Sequence, residues 1–345
     1  MMHDADDTTI ADRLIAILRR RAGVEAEYAV RPAQIPGGFD SRIFAFSLHG
    51  APDGLSGPLV LRLNRADVDP ARARFEATVH RTMAVLGYPC PPVLLVGEAG
   101  DGLGGAFLVM PRVPGRVMLD GLWGPGLVRL PEMLASLQLR LHALDPDPLR
   151  RALSEAGFDP AGLTVQRDLD AAARDVERAR LDGLRPVLDW LTRHRPAEPA
   201  AQVVCHGDFH PLNILVEAGR PQGVIDWVNV RFTDPAYDVG ATTAILTNGP
   251  LDLPAGLRTA AAVGRRLLVA AYRRTYLRER PLERDRLRYY EALRTFGFLL
   301  EAGLVRQSAA GVAPYTKPSA FTSPQVQRGA TRRLQALTGV TPQPG

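Results

Sequence analysis

The segment from Cys205 to Gly240 limits most strongly how this chain can fold. It reads Cys205-His206-Gly207-Asp208-Phe209-His210-Pro211-Leu212-Asn213-Ile214-Leu215-Val216, then Gly223-Val224-Ile225-Asp226-Trp227, then Asp234-Pro235-Ala236-Tyr237-Asp238-Val239-Gly240. Two short apolar runs, Ile214-Leu215-Val216 and Gly223-Val224-Ile225, flank a turn-forming linker and predict a hairpin. Hairpin geometry would bring Asn213 and Asp226 to the same end, and Asp208 and Asn213 bracket a tight turn just before it. Only short strands are expected here, in a region otherwise made of long helices.

The chain before this segment has a different texture. Helical spacing of Ile10, Leu14, Ile17 and Leu18 predicts a helix over 8–22. Strands are then expected at 28–30, 43–48, 59–63, 93–96 and 106–110, with one helix over 69–86 after the third. Asp69-Pro70 opens that helix in the favoured cap-then-proline order. Gly37-Gly38 lies between the first two strands, where a glycine turn lets bare backbone approach a ligand. Met110-Pro111-Arg112-Val113-Pro114-Gly115 reads as a stiff connector. Beyond it, helices are expected over 127–144, 169–193, 236–248, 255–276 and 282–304, with a further one around 324–337 in a loose tail. The expected organisation is a small lobe over 1–110, a hinge over 111–116, a helical lobe over 117–306 and a tail over 307–345.

Composition narrows the function classes. The chain is 46% hydrophobic and 23% charged, as in an ordinary soluble protein. No apolar run approaches the length of a membrane span, and the acidic start is unlike a signal peptide. Cys90 and Cys205 are too few for a disulfide framework, which suits a reducing cytoplasm. The net charge of +5 is carried by arginine, since Lys317 is the one lysine. The arginines interleave with acids, as in Glu283-Arg284-Asp285-Arg286, so neither a nucleic-acid partner nor a membrane partner is expected. Cys205 beside His206 is better read as a buried strand-end cysteine than as a nucleophile.

The chemistry of the central segment points to phosphoryl transfer. That reaction needs a group to orient the acceptor hydroxyl and oxygen ligands to hold Mg²⁺ on the phosphates. His206-x-Asp208-x-x-x-x-Asn213 supplies a carboxylate and an amide at the spacing of a kinase catalytic loop, and Asp226 adds a second carboxylate. Here the chain resembles the aminoglycoside phosphotransferase-like, protein-kinase-like small-molecule kinases. The resemblance rests on 206–215, Ile225-Asp226-Trp227, Asp234-Pro235-Ala236-Tyr237-Asp238 and Leu141-His142-Ala143-Leu144, and covers roughly residues 25 to 300.

The resemblance implies an α+β, two-lobe kinase-like fold, with a five-stranded antiparallel sheet and one main helix in the small lobe and a larger, mainly helical lobe. It implies ATP, with GTP as the alternative, and Mg²⁺. Asp208 would be the catalytic base, with Asn213 and Asp226 holding the metal. The backbone from Met110 through Arg112 to Val113 would meet the nucleotide base, and Gly37 and Gly38 would cover the phosphates. His206 would shape the loop and Asp238 brace it, although capping the helix near Ala236 is an equal reading for Asp238. Such kinases place a lysine on the third strand, paired with a helix glutamate. This chain has Arg62 there, with Glu76 as its partner, and arginine grips phosphate with a bulkier head. The acceptor would be a small-molecule hydroxyl, an antibiotic or a metabolite, met by His210 and by the 282–304 helix with Glu291 and Glu301. The net basic character of that region leans away from a polycationic acceptor.

Two rivals carry different predictions. A catalytically silent nucleotide-binding protein of the same fold would bind ATP and never turn it over. A metal-dependent hydrolase could use His206, Asp208 and His210, which share a face if the segment is a strand. The latter finds no further histidine downstream, and Pro211 interrupts the strand.

Overall fold

The structure, a computed structural model, describes residues 2–22, 25–36, 41–52, 54–123, 126–250, 258–313 and 316–343. The chain divides into two compact units. The first comprises Met1–Arg116, Asp147–Phe158 and Ile214–Val228; the second comprises Val117–Pro146, Asp159–Asn213 and Asn229–Gly345.

In the first unit, α1 (Met2–Ala22) precedes β1 (Glu27–Ile35), β2 (Ser41–His49), β3 (Pro58–Asn64), α2 (Pro70–Val85), β4 (Leu95–Gly97) and β5 (Phe107–Pro111). The five strands form one antiparallel sheet in the order β1-β2-β3-β5-β4. Period-two burial drives it: Phe44, Phe46 and Leu48 of β2 all turn to one face. They pack with Leu59, Leu61 and Phe107 against Leu14, Ile17 and Leu18 of α1. A second cluster, Ala73, Ala77, Leu108 and Met110, seats α2 on the opposite face. Asp69 caps α2 by accepting from Ala71 N–H at 2.9 Å, and Pro70 takes the position where its missing N–H costs nothing. A helix not anticipated from the sequence, α4 (Asp147–Glu155), packs on α2, and Phe75 meets Phe158 edge to face at 5.3 Å.

The hairpin in this unit pairs β8 (Ile214–Glu217) with β9 (Arg220–Val224), with Ile214 opposite Val224. Together with β6 (Arg116–Val117) these strands form a small sheet in the order β6-β8-β9.

The second unit is mainly helical: α3 (Gly126–His142), α5 (Val165–Arg178), α6 (Arg185–Arg193), α7 (Pro235–Asn248), α8 (Arg258–Glu279), α9 (Arg284–Ala309) and α10 (Pro324–Thr338). A strand pair joins β7 (Val203–Cys205) to β10 (Arg231–Thr233), with Cys205 opposite Arg231. The single helix expected over 169–193 is two helices. Arg180 takes a left-handed φ of 53°, and Leu181 and Leu184 turn into the core between α5 and α6. Helix α7 is buried along most of its length and approaches α9 closely. Gly240 makes this possible, because a Cβ there would lie 2.7 Å from the Glu291 nitrogen. Among the described residues no helix is long and apolar enough to cross a membrane.

Candidate functional site

Strand β7 delivers the chain into a loop at His206-Gly207-Asp208. Gly207 has a φ of 81°, and a Cβ there would run into the carbonyl of Asn229, so a side chain would be excluded twice over. The loop is clamped from beneath by Asp238 in α7. Its Oδ2 accepts from His206 N–H and its Oδ1 from Gly207 N–H, each at 2.8 Å. His142 of α3 approaches the same carboxylate at 3.2 Å through Nε2, and its Nδ1 lies 2.6 Å from the Tyr276 hydroxyl. Asp238 is fully buried. The α7 cap is Asp234, which accepts from Ala236 N–H at 2.8 Å, so the capping alternative for Asp238 fails. Thr242, one turn further along α7, donates to the Phe209 carbonyl at 2.7 Å.

These anchors set the Asp208 side chain in a defined frame. His206 accepts from Asp208 N–H at Nδ1, 3.2 Å away. Leu212 N–H donates to His210 Nδ1 at 3.2 Å, which leaves the proton of a neutral His210 ring on Nε2, 3.3 Å from Asp208 Oδ2. Asn213 Nδ2 donates to the Asp208 carbonyl at 3.0 Å. The other carboxylate oxygen, Oδ1, faces Arg294 of α9 at 3.3 Å. Burial alone would raise the Asp208 carboxyl. The His210 hydrogen bond and the charge of Arg294 outweigh it and hold the group well below the usual carboxylate range. Asp208 is therefore a persistent anion.

The sequence offers no obvious reason to single out Arg294. Its guanidinium joins Asp208 to Glu301, 2.9 Å from Nη1, and lies over the Phe298 ring at 4.7 Å. Its Nε is buried with no hydrogen-bond partner among the described residues. The Arg294, Phe298 and Glu301 spacing puts the three on one helical face, which was the available signal. Glu291 is engaged by Arg333 at 2.5 Å.

In the first unit, the hairpin register settles where Asp226 emerges. Ile214 pairs with Val224, and Asp226 comes two residues after Val224, so Asp226 leaves the end of the β8–β9 hairpin at which β8 begins. Asp226 has a left-handed φ of 68°, a strained conformation for a residue with a side chain. Arg62 of β3 contacts Glu76 of α2 directly and reaches Asp226 Oδ1 at 3.5 Å. Burial opposes ionisation of Glu76, but Arg62 and then His80 override it and pull the carboxyl down to about 2. Met110 lies in β5 opposite Val60, Arg112 N–H donates to the Pro58 carbonyl at 2.9 Å, and Val113 packs against Gly223. Gly37 and Gly38 lie outside the described residues.

The hydrolase triad gains no support. Among the described residues, the His, Cys and acidic group with converging ligand atoms is His142, Cys205 and Asp238, not His206, Asp208 and His210. Even that trio is committed to hydrogen bonds, with the Cys205 thiol donating to the Asp234 carbonyl at 3.5 Å. Cys205 is fully buried, and burial pushes its thiol well up, as expected of an inert core cysteine.

Residues 32–282 match the family described as Phosphotransferase enzyme family. A hygromycin-B 4-O-kinase of Escherichia coli is 27% identical over 223 residues, which cover 60% of this chain and 60% of that protein. An aminoglycoside 3'-phosphotransferase of Streptomyces fradiae is 30% identical over 213 residues, covering 58% of this chain and 75% of the relative. In fold, the chain resembles a crystallised thermostable mutant of the aminoglycoside phosphotransferase APH(4)-Ia, solved as a ternary complex with AMP-PNP and hygromycin B. That likeness has a TM-score of 0.54 at 20% identity and covers 94% of this chain and 97% of the other.

Proposed function

Since the chain belongs to the phosphotransferase enzyme family, we propose that it is a small-molecule kinase that moves the γ-phosphoryl group of ATP to a hydroxyl. The observation that carries this reading is the environment of Asp208. The carboxylate is held ionised, both oxygens have defined partners, and its loop is clamped to α7 by Asp238. Such a group can accept a hydrogen bond from an alcohol, aim its lone pair and receive its proton as the bond to phosphorus forms. A loose transition state asks chiefly for this orientation, so a weakly basic carboxylate serves.

The donor set fits a hard divalent cation. Asn213 spends its amide N–H on the Asp208 carbonyl, which leaves the side-chain oxygen to face a metal, and Asp226 offers a carboxylate 37% exposed. These two residues would hold Mg²⁺, which when bound neutralises charge on the phosphates. Arg62, oriented by Glu76, is the candidate for the phosphates, and Met110, Arg112 and Val113 for the nucleotide base. His206 and Asp238 keep the loop in shape; His210 orients Asp208.

The test is ADP release from Mg·ATP over a panel of hydroxyl acceptors. Asp208→Asn keeps the shape and removes the proton acceptor, so transfer should fall by about 10²- to 10⁴-fold while nucleotide affinity stays within about twofold. An Asp208→Asn variant of full activity would remove the base assignment. A wild type that binds ATP and turns it over with no acceptor would favour the silent nucleotide-binding reading.

A further inference from the structure

We infer that Arg294 sets the charge of the acceptor, so that this protein accepts a neutral hydroxyl compound with an apolar face and rejects polycationic amines. The inference deepens the kinase reading and rests on Asp208 marking the acceptor side. A polycationic acceptor is held by carboxylates that have no other partner. Asp208 and Glu301 already have a guanidinium partner. Arg294 joins Asp208 at 3.3 Å and Glu301 at 2.9 Å, and Glu291 is met by Arg333 at 2.5 Å and by Arg273 at 4.0 Å. The guanidinium at Asp208 is thus shared with Glu301, and an incoming ammonium would meet its like charge beside the group it must approach.

What the same face does offer is the half-buried ring of Phe321, backed by the fully buried Phe298, and a hydrogen-bond donor. Phe298, beneath the Arg294 guanidinium, stacks on Phe321 with ring centres 5.3 Å apart and planes 6° from parallel. Phe321 also lies 6.3 Å from the His210 ring. The Arg294 Nε–H is buried without an acceptor among the described residues, and a buried unpaired donor gains most from a ligand oxygen. A neutral alcohol with an apolar or aromatic portion satisfies both features, whereas an ammonium has no lone pair to accept from the Arg294 Nε–H.

Binding, rather than turnover, tests this. The full chain with Mg·AMP-PNP is titrated calorimetrically with neamine, a polycationic aminocyclitol glycoside, and with 4-nitrophenyl β-glucoside, a neutral aryl glycoside. The wild type should prefer the neutral probe. Arg294→Met uncovers Asp208 and Glu301 and should tighten neamine binding by at least about tenfold. Arg294→Lys keeps the charge and should exclude neamine as the wild type does. Adding Glu301→Gln to Arg294→Met should shrink the gain. Neamine binding by the wild type as tight as that of Arg294→Met overturns the inference, as does an equal gain in Arg294→Lys. If Arg294→Met does not fold, the wild-type preference between the two probes still decides: preference for neamine overturns it. ADP release with neutral acceptors is scored separately. Its absence, with the charge preference intact, counts against the kinase reading and not against the role of Arg294.

Discussion

The side chains that matter most here are charged groups held by several partners at once. Glu76 is 1% exposed, contacts Arg62 directly and has His80 3.6 Å away. Its folded-state ionisation, near 2, lies below the ordinary value of about 4.3, so the unfolded chain binds the proton more readily. The stabilisation it provides is therefore complete above about pH 4.3 and is lost as pH falls toward 2. Glu76→Gln should cost about 3 kcal/mol at neutral pH, because the buried Arg62 loses its close carboxylate partner and keeps the Ser41 hydroxyl at 3.2 Å and the longer contact to Asp226. The loss should be smaller at about pH 3, where the wild type has itself begun to lose this contribution, as paired urea titrations would show. Asp208 follows the same sign. With its ionisation held low, the acid limb of the rate profile should contain no Asp208 step above about pH 4. The identities of Asp208, Asn213, Asp226, Arg62 and Glu76 stand out in the sequence because each sits in a short motif. Arg294 does not, because its partner Asp208 lies 86 residues away and the two meet only when α9 is packed.

At the level of elements, local signals were strongest where the chain specifies its own ends. Asp69-Pro70 and Asp234-Pro235 each start a helix with a side-chain cap and a proline that needs no partner, and both helices begin there. The split between α5 and α6 was marked by Gly183 and Pro186, but the strong arginine-acid spacing on either side masked it. Helix α4 and strand β10 are short, and their definition comes from what they pair with: α2 for one and β7 for the other. The α7–α9 contact turns on Gly240. A Gly240→Ala variant places a Cβ 2.7 Å from the Glu291 nitrogen and 2.8 Å from the Tyr290 Cβ, both on α9. Overpacking of this kind should cost about 1–3 kcal/mol, seen as a lower urea midpoint with an unchanged slope. Because α7 also carries Asp238 and Thr242 to the Asp208 loop, turnover should fall in the same variant while nucleotide affinity changes less.

Across the whole molecule, the net charge of +5 is dispersed among local ion pairs such as Arg31 with Asp12, Arg178 with Asp175 and Arg231 with Asp168. Binding to duplex DNA should accordingly be weak and vanish by about 150 mM salt, as fluorescence anisotropy would report. Sequence alone determined most of the kinds of element, because caps, prolines and hydrophobic periods act over a few residues, and its resemblance to the small-molecule kinases implied the two-lobe architecture. It did not determine that the first unit takes up Asp147–Phe158 and Ile214–Val228, that Asp238 clamps the loop rather than caps a helix, or that an arginine from α9 occupies Asp208. Those outcomes depend on which buried faces and which opposite charges come together from distant parts of the chain. Burial and pairing of that kind are properties of the packed structure, and no local pattern encodes them.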